Sequence, residues 1–169
     1  MNLDLAANNI LVKDGYAFFF GSPFSNWHKS SFEIDGIIYS TSEQYMMHQK
    51  ALMFHDHETA QKILSTSDPK KQKALGRLVK NYNDALWSEH RFDVVYEGCF
   101  EKFYQNDDLG KLLLSTDKLK IVEASPFDKI WGCGLRMNDA NIVNESKWTG
   151  QNLLGKALMQ VREQLRELT

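Results

Sequence analysis

Two charged residues on one apolar stretch pose the first chemical question. Between Thr41 and Phe54, Met46, Met47, Ala51 and Phe54 recur at helical spacing, and Glu43 and Lys50 fall on that same side. A charge turned toward a core is costly unless it is paired, sits at a rim or lines a functional cavity. Seven residues of helix rise about 10 Å, so each charge needs its own partner or a ligand between them. A carboxylate so placed could steady a developing positive charge, and an amine could neutralise a phosphate or attack a carbonyl carbon. The competing reading is structural: Glu43 favours the helix N-terminus and Lys50 snorkels to water.

A second cluster lies in Glu123-Ala-Ser-Pro-Phe-Asp-Lys-Ile-Trp-Gly-Cys-Gly134, where Glu123, Asp128, the Ser125 hydroxyl and Trp131 crowd a turn-rich stretch. Here Asp128 also reads as a cap and Glu123 as a surface residue. Trp87 and Trp131 offer flat faces for a heterocycle, although buried tryptophans are more often plain core. Arg77 could fork onto a phosphate or belong to a solvated face with Lys70, Lys71, Lys73 and Lys80. Ser22, Ser25 and Asn26 beside Pro23 suit a ligand-facing loop or an ordinary turn. The five histidines and two cysteines show no zinc-site spacing, so no catalytic metal and no cofactor are expected.

The elements that must position these residues are mostly helical. Tyr16–Gly21 reads as a strand, and residues 32–39 read as a hairpin turning at Asp35-Gly36. Thr41 caps a helix to about Phe54, with Gln44 reaching back in a capping box. Further helices are predicted over 56–64, from Asp68-Pro69, from Asn83 through Phe103, after Asn106, and over 151–168 with Leu154, Leu158, Val161 and Leu165 on one stripe. Leu119–Ala124 is ambiguous between a strand and an extended segment. These signals predict one mainly α domain with a small N-terminal β-hairpin.

With 169 residues, 43% hydrophobic and 25% charged, the chain has the make-up of one globular domain. A net charge of -2 argues against a general polyanion-binding surface. No apolar segment suits a signal peptide or membrane span, so a cytoplasmic protein without membrane partners is expected. The oligomeric state is left open.

Taken together, Ser22-Pro-Phe-Ser-Asn26, Ser42-Glu-Gln-Tyr-Met-Met47 with Lys50-Ala51, Leu75-Gly-Arg77, Glu123-Ala-Ser-Pro126, Ile130-Trp-Gly132 and Trp148-Thr-Gly-Gln-Asn-Leu-Leu-Gly155 resemble the YbiA-like (NADAR) family. The resemblance runs from about Phe18 to Leu165 and implies a mainly α fold, a single compact orthogonal helical domain with a small N-terminal β-hairpin. It leaves residues 1–15 as a variable N-terminal segment before a domain over 16–169. It implies an N-glycosidase that cleaves ribosylated pyrimidine intermediates of early riboflavin biosynthesis, releasing ribose 5-phosphate. Relatives acting on ADP-ribosylated guanine make that substrate, and with it ADP-ribosylated nucleic acid, the alternative; a non-catalytic ADP-ribose or nucleotide-binding module is the second. Trp27 and Cys133 depart from residues expected in many relatives.

In that setting Glu43 would stabilise the cationic sugar, and Asp128 would orient water or protonate the leaving heterocycle, or the two would exchange these roles. Lys50 would bind phosphate or form a Schiff base. Trp87 and Trp131 would hold the base and Arg77 the phosphate. Asn26, Ser125 and Asn152, with Glu123, would meet the sugar or polar ring edges.

Overall fold

Local signals start most of the elements. The computed structural model describes residues 4–169, so the first three residues of the expected N-terminal segment lie outside the described residues. The chain falls into two units: residues up to Ser25 together with Asp107–Thr169, and Asn26–Asn106.

In the first unit, β1 (Ile10–Lys13) and β2 (Tyr16–Phe19) form an antiparallel hairpin, and β5 (Lys120–Glu123) adds to β2 in parallel, in the order β1-β2-β5. The hairpin turns at Asp14-Gly15, both at positive φ (50° and 84°), the conformation an Asp-Gly pair accepts most readily. This three-stranded sheet exceeds the small hairpin expected from sequence. The 119–124 stretch resolves as a strand, with Ile121 and Val122 fully buried. Phe18, Val122, Ala124, Cys133 and Ile142 form the core, and α6 (Leu153–Leu168) packs Leu154, Ala157, Leu158, Val161 and Leu165 inward. The remaining helix, α5 (Asp107–Leu114), buries Leu112 and Leu113.

The second unit holds the hairpin of β3 (Phe32–Ile34) and β4 (Ile37–Tyr39), then α1 (Ser42–Met53), α2 (His57–Leu64), α3 (Pro69–Gly76) and α4 (Asp84–Gln105). The expected caps form: Thr41, Asp56, Asp68 and Asn83 each accept a first-turn N–H. One detail of the capping box differs. Gln44 reaches past Thr41 to the Ser40 N–H (2.7 Å), while its amide donates to the Ile63 and Thr66 carbonyls. Those bonds explain how α1 tolerates polar residues: residues 42–48 are all buried, so it is a core helix rather than an amphipathic one. Among the described residues, no helix is long and apolar enough to cross a membrane.

Candidate active site

In the second unit, α1 carries Glu43 and Lys50. Glu43 is 4% exposed, and its backbone N–H, one of the unsatisfied donors of a first helical turn, is met by the Asn26 carbonyl at 3.0 Å. Asn26 is itself buried, its Oδ1 accepting from the Ser42 hydroxyl at 2.9 Å. The predicted Asn26 is therefore a buried brace beneath the start of α1.

Lys50 is half-buried, and its ammonium sits over aromatic rings, 4.5 Å from the Tyr82 centroid and 6.0 Å from that of Trp87. Desolvation by burial pulls its pKa below the ordinary lysine range; Arg77 pushes the same way, while Glu43 and Asp84 oppose. The predicted quartet of Glu43, Lys50, Arg77 and Trp87 thus belongs to one electrostatic neighbourhood, with Arg77 exposed at the C-terminal end of α3.

Tyr82 and Asp84 are functional candidates that the sequence reading missed. Asn83 caps α4, so Tyr82 and Trp87 occupy the N′ and N4 positions of a hydrophobic staple, the pair whose side chains meet across a helix start. That spacing was the available signal. Tyr82 also donates to the Asp84 carboxylate at 2.7 Å, and its hydroxyl pKa, raised chiefly by burial and then by that bond, is pushed up to about 12.

The other predicted residues lie in the first unit, where the structure shows them building turns. Ser125 Oγ accepts the Phe127 N–H at 3.2 Å, and Asp128 Oδ1 accepts those of Ile130 (2.9 Å) and Trp131 (2.8 Å). Asp128 thus caps a turn; no helix follows it. The half-buried Trp131 lies within this loop, and Glu123 ends β5 and leads into it. Asn152, 1% exposed and at φ 51°, donates to the Ile121 carbonyl and accepts the Glu123 N–H, both at 3.0 Å.

The two glycine-containing motifs are interlocked. Gln151, Asn152, Leu153 and Leu154 donate their N–H groups to the carbonyls of Lys129, Gly132, Ile130 and Trp131. The loop thus serves as the cap that α6 lacks in side-chain form. An added Cβ at Gly155 would collide with the Ile121 carbonyl, so only glycine lets α6 pass this close to β5.

The model of the NADAR domain matches residues 18–166. This chain belongs to the NADAR family. An N-glycosidase R617 of Acanthamoeba polyphaga mimivirus is 46% identical over 164 residues, covering 89% of this chain and 96% of that protein. A riboflavin biosynthesis protein, VVA0006 of Vibrio vulnificus, is 32% identical over 143 residues, covering 85% of this chain and 35% of that longer protein. The NMR structure of the E. coli protein YbiA superposes with a TM-score of 0.77 at 28% identity, covering 98% of this chain and 95% of that one. The NADAR match spans residues of both units.

Proposed function

We infer that this NADAR chain hydrolyses N-glycosyl bonds, and we propose as substrate a ribose 5-phosphate joined through nitrogen to a pyrimidine of early riboflavin biosynthesis. The observation that carries the reading is the pairing on α1 of a buried carboxylate, Glu43, with a half-buried amine, Lys50, held over two aromatic rings. The names of the mimivirus and Vibrio relatives support the bond type and the substrate class respectively.

Cleavage sends the C1′–N electron pair to the departing heterocycle, which takes a proton, and leaves positive charge shared between C1′ and the ring oxygen. A carboxylate removed from bulk water stabilises that cation more strongly than one in water would, because the local dielectric is low. Glu43 has this placement. Water then adds to C1′ and loses a proton, giving ribose 5-phosphate. Lys50 and Arg77 supply positive charge for the phosphate, and the 43% exposed Tyr82 ring, with Trp87 beside Lys50, is the stacking candidate for the heterocycle. Asp128, whose Oδ1 accepts two backbone N–H groups, is held in a turn of the first unit.

One observation favours a covalent variant. Burial lowers the pKa of Lys50, which increases the share of neutral amine. That amine would attack C1′ of the ring-opened ribosylamine, expel the heterocycle amine with its proton, and leave a C=N bond that water hydrolyses to ribose 5-phosphate. Incubation with a 5-phosphoribosylaminopyrimidine tests both forms. Free ribose 5-phosphate is expected, intact compound refutes the enzyme, and a borohydride-trapped adduct on Lys50 selects the covalent route.

A further inference from the structure

A groove of about 350 Å³ in the first unit is lined by Leu11, Phe20, Pro126, Phe127, Arg136 and Asn138 among others. Its rim is unusually apolar for a surface: Phe127 is 76% exposed, Phe20 51% and Leu11 40%. Clustered exposed rings of this kind mark binding surfaces more often than scattered ones do. The two phenyl rings lie 6.4 Å apart at 47°. Phe127 is held outward from a fixed backbone, its N–H bonded to Ser125 Oγ.

A cation on this rim is placed to match. The Arg136 guanidinium lies 5.5 Å from the Phe127 centroid, and among the described residues it forms no ion pair. A guanidinium without a carboxylate keeps its fork of N–H donors for an incoming anion, and phosphate suits that fork in charge and geometry. A purely apolar ligand would leave Arg136 unused, and a bare anion would leave the rings unused.

We propose that this groove binds a planar aromatic ring carrying a phosphate, of the size of a single nucleotide: the ring rests on Phe20 and Phe127 and the phosphate on Arg136. A groove of this volume falls at the lower end of the small-ligand range. The ligand is a free small molecule, because a net charge of -2 offers little to a polyanion. This site does not depend on the proposed glycosidase reaction, since it is read by binding without turnover.

The test titrates adenosine 5′-monophosphate into the full-length protein, followed by NMR, with adenosine and inorganic phosphate as half-ligands. Saturable shifts at Phe20, Phe127, Met137 and the Arg136 side chain are expected. Phe127→Ala and Arg136→Gln should each weaken binding by roughly tenfold, the scale of one lost stacking or charge-assisted contact. Each resonance is fitted separately, so shifts at the groove are told apart from any at the α1 residues, which are proposed to hold a related sugar phosphate. Absence of saturable shifts at Phe20, Phe127 and Arg136, phosphate acting on them as tightly as the nucleotide, or wild-type binding by both groove variants would overturn the proposal. Mapping on the wild-type protein decides the matter even if a variant fails to fold.

Discussion

Lys50 illustrates how one side chain can be tuned by neighbours that carry no formal charge. Rings beneath an ammonium favour its charged form and burial disfavours it; burial also outweighs the Glu43 and Asp84 carboxylates, so the pKa falls. If the charge of Lys50 serves phosphate binding, kcat/KM should hold at neutral pH. It should then fall on the alkaline side, at a pH below the ordinary lysine range, as the amine loses its proton. Lys50→Arg should keep activity within about tenfold and lose that alkaline limb, since a guanidinium stays protonated. If the neutral amine is the nucleophile, the rate should instead rise with pH and Lys50→Arg should be inactive. A pH-rate profile of both proteins checks this. Glu43 and Lys50 were legible in the sequence because a charge on an apolar helical stripe demands an explanation. Tyr82 was legible too, as the staple partner of Trp87, but only once Asn83 is read as the cap. The turn bonds of Ser125 and Asp128 were less so, because these residue types serve turns and ligands equally well.

At the level of elements, the helix starts were written locally and the sheet was not. Caps such as Thr41, Asp56 and Asn83 act within four residues, so a short stretch of sequence carries the whole signal. The partner of β5 lies about a hundred positions earlier, in β2, and no local pattern announces it. The hairpin at Asp14-Gly15 carries the same dipeptide as Asp35-Gly36, yet its first strand exposes three of its four residues and so lacks apolar alternation.

Asp56 gives a stability prediction with a definite sign. N–H groups of Lys80 and Thr59, led by that of Lys80, hold its carboxylate ionised and lower its pKa to about 2. The stabilisation is full above the ordinary carboxylate value near 4 and is lost as pH falls through that value toward 2. Asp56→Asn should therefore lower the urea midpoint at pH 5 and approach the wild type near pH 2. Gly155→Ala should destabilise by about 1–3 kcal/mol in urea unfolding, the usual cost of forcing a methyl group into a packed contact, here against the Ile121 carbonyl.

For the whole molecule, the ordered motifs from Ser22 to Gly155 pointed to the family before any coordinates, and the NADAR match over 18–166 agrees with that reading. Composition and charge alone reached only a globular chain of mild acidity. In the proposed reaction a carboxylate screened from water at the start of α1 acts on a cationic sugar, and replacing its charge without changing its size tests this directly. Release of ribose 5-phosphate from a 5-phosphoribosylaminopyrimidine should be followed at saturating substrate for the wild type and for Glu43→Gln, with circular dichroism confirming the fold of both. Loss of one preorganised electrostatic group predicts a fall in kcat of roughly a hundredfold or more, with KM little changed. A folded Glu43→Gln protein that turns over at nearly the wild-type rate would contradict the account.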